Sequence, residues 1–159
     1  MSVAFTKEED YESTAADLPD RPISPHPNLV TPQGLGLIEA ALAEARAAMT
    51  SAKSGSDVSA DRTAMARATR DLRYWSSRRA TAQLVERGEY DGTLRFGDSV
   101  TFEREDGRRQ TFRIVGEDEA DPAKGSVSYI SPLGQALLGK SVGDEAMLTG
   151  APVEIVAIG

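Results

Sequence analysis

Carboxylates are the side chains of this sequence whose type and spacing come closest to chemistry. Glu117, Asp118 and Glu119 are consecutive, and Asp121 follows just before Pro122. Oxygen ligands of this kind suit Mg²⁺ or Ca²⁺. The residues around them do not have the spacing of an EF-hand loop, however, so the pattern favours a solvated turn over a cation site.

Other kinds of reactive side chain are scarce. The chain has no cysteine, which excludes disulfides and thiolate metal sites. Its single histidine, His26, stands between two prolines with no carboxylate or nucleophile beside it, so it is predicted to be a solvated residue. We therefore expect no catalytic residue, and no metal or cofactor of its own.

Composition narrows the class of partner. The 159 residues carry a net charge of -7 with a pI near 4.8, which argues against autonomous binding to DNA or RNA. No apolar run approaches the ~20 residues of a membrane span, and acidic residues rather than a basic, apolar signal segment follow Met1. The sequence predicts a soluble, cytoplasmic protein without a membrane partner.

Residues 1–30 are predicted to be an acidic, proline-rich tail. Residues 8–12 contain four carboxylates, and Pro19, Pro22, Pro25 and Pro27 follow. Closely spaced prolines forbid a helix and favour extended chain. We expect a tail that is mobile or laid on a surface.

Two helices are predicted over residues 31–87. Thr31 and Pro32 are typical of a helix start, and a second helical stretch covers about 61–86 after a polar link. Apolar or seam residues recur at alternating spacings of three and four, at Leu35, Ile38, Leu42, Ala45 and Met49 and then at Met65, Ala68, Leu72, Trp75, Arg79 and Ala82. Because neither helix can bury its stripe alone, we predict an antiparallel coiled-coil hairpin.

The second helix is basic in an otherwise acidic chain. Its arginines are Arg62, Arg67, Arg70, Arg73, Arg78 and Arg79. They form either a solvated face, with Asp71 and Glu86 as partners, or a surface that docks on an acidic partner. The negative total charge favours a protein over nucleic acid as that partner.

After a glycine-containing linker at 88–92, residues 93–159 show a period near two that is typical of strands. Glu105, Asp106 and Gly107 separate two strand-like runs as a hairpin turn. Ser131 is a predicted cap for one short helix that starts at Pro132 and stops at Gly139.

The run from Ser128 to Glu145 resembles the C-terminal signature of the Gre (GreA/GreB) transcription elongation factors. Its Ser-x-x-Ser-Pro, Leu-Gly-x-Ala-Leu-Leu and Gly-Asp pieces fit position by position. Phe96-Gly97, Val100, residues 105–107, residues 112–116 and Asp118-Glu119 match in the same order, so the resemblance covers about 92–158. It implies an α+β fold: the coiled-coil hairpin, then a small FKBP-like antiparallel sheet with one short helix.

The resemblance also implies a function. Gre factors enter the secondary channel of bacterial RNA polymerase, where acids at the hairpin tip help to hold the second catalytic Mg²⁺, and the polymerase then cleaves backtracked RNA. A protein of this type is an accessory factor rather than an enzyme, it shares the polymerase magnesium, and it meets nucleic acid only through the elongation complex. The residues expected at the polymerase contact are Arg62, Arg67, Arg70, Arg73, Ser131 and Pro132.

The tip departs from the family pattern. Gre factors carry Gly-Asp-x-x-Glu-Asn-Ala there, whereas this chain has Ser56-Asp57-Val58-Ser59-Ala60-Asp61-Arg62. Asp57 matches the family Asp, but Ala60 replaces the Glu, and alanine neither binds a metal nor moves a proton. Asp57 and Asp61 are four residues apart and either contact magnesium from one helix face or simply cap the helix. Cleavage stimulation is therefore not expected from the sequence.

Two further readings stay open. The first helix is about two turns shorter than in full-length Gre factors, roughly 11 Å of reach. The chain could therefore be a short-arm Gre relative, of the type of the regulator of nucleoside diphosphate kinase, that binds polymerase and inhibits or regulates it. The other is a peptidyl-prolyl isomerase, which rests on the FKBP-like fold alone. An isomerase pocket needs clustered aromatics, and the candidates are Phe96, Phe102, Phe112 and Tyr129.

Overall fold

The computed structural model describes residues 18–55 and 58–159, with the backbone alone for residues 58–61. The chain forms two compact units. The helical unit contains the described residues 18–25 and Ile38–Thr81. The C-terminal unit contains His26–Leu37 and Ala82–Gly159. This division differs from the predicted boundaries of 30, 87 and 92, because residues on both sides of the helices pair with each other in the C-terminal unit.

Helix α1 spans Pro32–Lys53 and helix α2 spans Val58–Thr81. Thr31 caps α1, since its hydroxyl oxygen accepts a hydrogen bond from the Gly34 N–H at 2.9 Å, as the sequence predicted. The second helix starts about three residues earlier than predicted and ends about five residues earlier. Its end is early because Gln83 and Leu84 adopt strand geometry instead.

In the helical unit, two contacts show the direction of the helices. Arg79 Nε lies 3.1 Å from Glu39 Oε1, and the Thr69 hydroxyl lies 4.0 Å from the Met49 sulfur. A step of ten residues forward along α1 thus matches ten residues backward along α2, so the helices run antiparallel. Among the predicted seam residues, Ile38, Leu42, Ala45 and Ala68 are buried. Supercoiling of the pair stays a prediction.

Strands β1, Leu29–Val30, and β2, Gln83–Leu84, form a parallel pair that the sequence did not predict. Leu29 had been assigned to the tail and Gln83 to a helix. Val30 is 3% exposed, so this end of the predicted tail is buried rather than mobile or laid on a surface. The strands are too short for a period to show, and their pairing joins residues more than fifty positions apart.

The C-terminal unit holds a five-stranded sheet in the order β5-β4-β3-β7-β6. Its strands are β3 (Ser99–Arg104), β4 (Arg109–Val115), β5 (Ser126–Ser128), β6 (Glu145–Leu148) and β7 (Ala151–Ile158). The predicted all-antiparallel sheet is wrong in one place, because β5 runs parallel to β4. The connection at 116–125 makes this possible, since parallel neighbours need a crossover rather than a tight turn.

The short helix α3, Pro132–Leu137, starts as predicted. Ser131 Oγ accepts the Gly134 N–H at 3.1 Å and donates to the Ser128 carbonyl at 2.6 Å. Leu137 is fully buried in the core beside Phe102, Ile114 and Ile155. The helix therefore covers one face of the sheet, with Gly134 pressed against the preceding strand end.

The β3–β4 turn also confirms the prediction. Gly107 has φ +85°, and its N–H donates to the Arg104 carbonyl at 2.9 Å. Of the residues predicted by strand period, Val100, Phe102 and Val153 are buried, whereas Met147 on β6 is 61% exposed. Met147 is exposed because β6 is an edge strand whose Ala146 and Leu148 face the core.

Gly134 and Gly36 offer a matched pair of helical glycines. A Cβ at Gly134 would lie 2.5 Å from the Ser128 carbonyl oxygen, whereas one at Gly36 meets nothing within 4 Å. Gly134→Ala should lower the free energy of unfolding by about 1–3 kcal/mol, since backbone must shift. Gly36→Ala should raise it by about 0.5–1 kcal/mol. Urea denaturation measures both, and equal effects would contradict the packing described for α3.

Asp91, in the predicted linker, accepts hydrogen bonds from the Thr93 hydroxyl at 2.8 Å and the Thr93 N–H at 3.1 Å, and it pairs with Arg95. The hydroxyl bond is the main reason why the pKa of Asp91 is lowered below 3.8. A carboxyl group whose pKa is lower in the folded than in the unfolded state stabilises the fold when the pH lies above its unfolded-state pKa. This stabilisation is lost as the pH falls through the folded-state pKa.

We expect Thr93→Val to return the pKa of Asp91 toward 3.8, as followed by NMR titration of its carboxyl carbon. Thr111→Val is the control, because the Thr111 hydroxyl bonds Thr101 and not Asp91. An Asp91 midpoint that is the same in the wild type and Thr93→Val would show that the hydroxyl bond does not form in solution.

Candidate docking surfaces

Four arginines predicted to meet a partner lie on one side of α2. At about 100° per residue, Arg62 and Arg73 fall on nearly the same line, and Arg70 and Arg67 follow within an arc of about 140°. Arg62, Arg67 and Arg73 are exposed, and Arg70 is half-buried. We call these four residues the arginine arc.

Two arginines of the arginine arc lie next to carboxylates of their own unit. Arg70 Nε lies 3.6 Å from Asp71 Oδ1, and Arg73 lies 3.1 Å from Asp20. Asp71 was predicted as a partner, whereas Asp20 was not. Arg78, which the sequence grouped with the basic face, is instead buried at 2% exposure. The arc is thus a narrower positive surface than the run of six arginines suggested.

Aromatic side chains border the arginine arc. Tyr74 and Trp75 meet edge to face, with ring centroids 4.8 Å apart. The Arg21 guanidinium lies 3.8 Å above the Tyr74 ring and 5.2 Å from Trp75. This contact is the kind of aromatic and arginine pairing that is enriched at protein interfaces. Sequence reasoning missed it, because no local pattern links residue 21 to residue 74.

Ser131 and Pro132, the other predicted contact residues, lie in the C-terminal unit. The Ser131 hydroxyl accepts the Gly134 N–H as the cap of α3 and donates its proton to the Ser128 carbonyl, so its first role is structural. Pro132 is exposed at the start of the helix. Of the two, Pro132 is therefore the side chain that the fold presents for contact.

The predicted tip residues cannot be placed in the same detail. Asp57 lies outside the described residues, and Asp61 lies in α2, where its backbone alone is described. Within the described part of the chain, no group of three or more His, Cys, Asp or Glu side chains is arranged to hold a metal ion. The proposed magnesium contact therefore stays a prediction.

The acidic cluster at 117–121 has a structural use. Glu119, with a side chain 11% exposed, accepts a hydrogen bond from the Thr31 hydroxyl and lies 3.6 Å from Arg113. Arg113 also donates to Gln33 Oε1 at 3.1 Å and to the Gly97 carbonyl at 3.2 Å. The expected solvated turn is wrong for Glu119, because this carboxylate joins the first turn of α1 to strand β4.

Aromatic residues of the C-terminal unit pack among themselves. Phe102 is fully buried and stacks on Phe112 at 6.1 Å, and Phe96 meets Tyr129 edge to face at 5.7 Å. Phe96 also lines a cavity of about 300 Å³, whose lining is otherwise mostly charged and polar and includes Arg87, Arg95 and Asp98. An isomerase would need an apolar, aromatic pocket for proline, and these residues do not build one.

Residues 89–158 match the family described as transcription elongation factor, GreA/GreB, C-term. Over these residues the chain is similar to the C-terminal part of the GreA/GreB transcription elongation factors. The chain is 44% identical over 93 residues to the transcription elongation factor GreA of Desulfovibrio desulfuricans, covering 57% of this chain and 56% of that protein. It is 42% identical over 77 residues to GreB of Pasteurella multocida, covering 48% and 49% of the two chains. The chain therefore spans about half the length of the curated GreA and GreB relatives it matches.

Two solved structures are also similar. The match to the GreA factor homolog 1 of Thermus thermophilus covers 84% of this chain and 99% of that chain at 23% identity, with a TM-score of 0.40. A GreA/GreB factor of Nitrosomonas europaea covers 84% and 98% at 18% identity, with a TM-score of 0.39. In the described part of the chain, no helix combines the length and apolarity that crossing a membrane requires.

The contact between Thr31 and Glu119 can be tested by stability. Glu119→Ala should lower the free energy of unfolding by about 1–3 kcal/mol, because it leaves the buried Thr31 hydroxyl without its acceptor and removes the carboxylate beside Arg113. Glu145→Ala, at an exposed position on β6, should change it by less than about 0.5 kcal/mol. Guanidinium denaturation measures both, and a Glu119 variant as stable as the Glu145 variant would refute this role.

Proposed function

We propose that this chain is a Gre-type transcription elongation factor that binds bacterial RNA polymerase and places its helical pair in the secondary channel. The observation that carries the proposal is the family match over residues 89–158, together with the 44% identity over 93 residues to a GreA factor. The partner is polymerase, and nucleic acid is met only within the elongation complex. The protein acts as an accessory factor in the cytoplasm rather than as an enzyme.

The geometry of the helical unit supports this proposal. Helices of 22 and 24 residues, at about 1.5 Å per residue, give an antiparallel rod about 33–36 Å long. A narrow rod of this length suits insertion into a channel. The arginine arc gives it positive charge that a channel lined by acidic side chains would attract. Charge of this kind chiefly accelerates association and fixes orientation.

The sequence of the hairpin tip indicates that this protein can bind polymerase without stimulating transcript cleavage. Two-metal cleavage needs carboxylates to complete the second metal site. Asp57 can supply one oxygen ligand, but Ala60 stands where the family has a glutamate. We propose that the protein occupies the channel and modulates elongation without stimulating transcript cleavage. A short-arm regulator would bind polymerase in the same way, and its effect would be measured as inhibition of transcription.

Polymerase binding should depend on the arginine arc. Arg62→Ala combined with Arg67→Ala should weaken binding to core polymerase about threefold to tenfold, at on the order of 0.5 kcal/mol per exposed charge. The loss should shrink as salt is added. Arg108→Ala with Arg109→Ala removes the same charge from the exposed β3–β4 hairpin and should leave affinity within twofold. Biolayer interferometry at two salt concentrations measures this, and equal losses in both variants would contradict a specific arginine surface.

Cleavage of backtracked RNA should depend on the carboxylates at the hairpin tip. In a backtracked elongation complex with Mg²⁺, the wild type should release no short 3′ RNA and should suppress cleavage by an active Gre factor. Ala60→Glu should gain cleavage, because it restores the missing carboxylate, and adding Asp57→Ala should remove that gain. Cleavage by the wild type that disappears with Asp57→Ala would show instead that the altered tip completes the metal site. A wild type that neither cleaves nor competes would refute polymerase binding.

A further inference from the structure

A proline-rich segment before the helices contacts α2. Residues 18–25, which we call the strap, are non-helical, contain Pro19, Pro22 and Pro25, and belong to the helical unit. Proline limits the conformations available to the free chain, so the strap loses less entropy than ordinary chain when it is held. The sequence had offered a surface-laid tail as one of two possibilities.

Arg21 is the anchor of the strap. Its guanidinium lies over the Tyr74 ring at 3.8 Å, reaches within 5.2 Å of the Trp75 ring, and lies 3.6 Å from Asp71. One side chain thus covers two aromatic rings and pairs with a carboxylate. The position next to it, Asp20, pairs with Arg73 of the arginine arc at 3.1 Å.

These contacts are weak enough to be exchanged. The Arg73 and Asp20 side chains are 65% and 63% exposed, and those of Arg21 and Asp71 are 36% and 37% exposed. Exposed ion pairs contribute little to stability because water and salt screen them. Asp71 would keep a partner if Arg21 left, since Arg70 lies 3.6 Å away. Displacing the strap therefore leaves Asp71 with a partner and makes the exposed Arg73 available to another carboxylate.

We propose that the strap is an autoinhibitory cover of α2. It neutralises Arg73 and occupies Tyr74 and Trp75, so an acidic protein partner of the arginine arc must displace it before the whole surface is available. The proposal deepens the proposed function, because the partner in question is the polymerase. It identifies the strap as a built-in competitor that lowers the affinity of the factor.

The test compares two charge-neutral double variants. Asp20→Ala with Arg21→Ala removes the strap contacts, and Asp106→Ala with Arg108→Ala removes a similar exposed ion pair from the β3–β4 turn. The first probe is a fluorescein-labelled glutamate-rich peptide, measured by fluorescence anisotropy, and the second is core polymerase. Emission from Trp75, the only tryptophan of the chain, reports release of Arg21 in the strap variant before any probe is added.

The strap variant should bind the acidic peptide and polymerase about threefold to tenfold more tightly than the wild type, and the Asp106/Arg108 variant should match the wild type. Peptide binding that is unchanged, weaker, or undetectable in both proteins would overturn the proposal. So would Trp75 emission identical to that of the wild type. If the peptide binds the strap variant more tightly but polymerase binds neither protein, the strap is supported and the proposed function fails.

Discussion

The contact between the Thr31 hydroxyl and the Glu119 carboxylate fixes where the first helix begins. Thr31 accepts the Gly34 N–H and donates to Glu119, so one side chain both caps α1 and ties its first turn to the segment after β4. A Cβ at Gly34 would lie 2.7 Å from the same carboxylate oxygen, so a larger residue there would require the Glu119 side chain to move. Thr31, Gly34 and Glu119 thus form one linked group at the start of α1.

The β1–β2 pair joins the segment just before α1 to the segment just after α2. Val30 pairs with Leu84, and the Val30 carbonyl accepts the Val85 N–H at 2.9 Å. A Cβ at Gly116 would lie 2.3 Å from the Leu29 carbonyl oxygen, so β1 lies directly on the chain that leaves β4. The chain therefore enters α1 and leaves α2 from positions that belong to the C-terminal unit.

Local signals made much of this fold predictable. A capping serine before proline located α3, a glycine with positive φ located the β3–β4 turn, and alternating spacings of three and four located both helices. The elements that were missed depend on contacts distant in sequence. The strands at 29–30 and 83–84 carry no readable period, and the parallel placement of β5 follows from how the 116–125 connection folds back.

The candidate surfaces likewise contain some features that local sequence predicts and others that depend on contacts distant in sequence. The exposed arginines were predictable because helix periodicity assigns residues to a face, whereas the burial of Arg78 and the Glu119 contact required the tertiary structure. The strap was the least predictable part. Extended, proline-rich chain has no period that assigns its side chains to a face, so Arg21 gives no sign in the sequence of the aromatic rings it meets.

The proposed function assigns binding and chemistry to different parts of one rod. Exposed arginines along α2 act through charge, which depends on distance and salt and tolerates small displacements. A metal site at the tip acts through individual oxygen ligands, and replacing one carboxylate with a methyl group removes a ligand outright. Exchange of glutamate for alanine at position 60 would therefore abolish cleavage while leaving the charge that guides docking intact. Under the proposed function, such a factor would compete for the channel with cleavage-active relatives, and a strap that weakens its binding would set how effectively it does so.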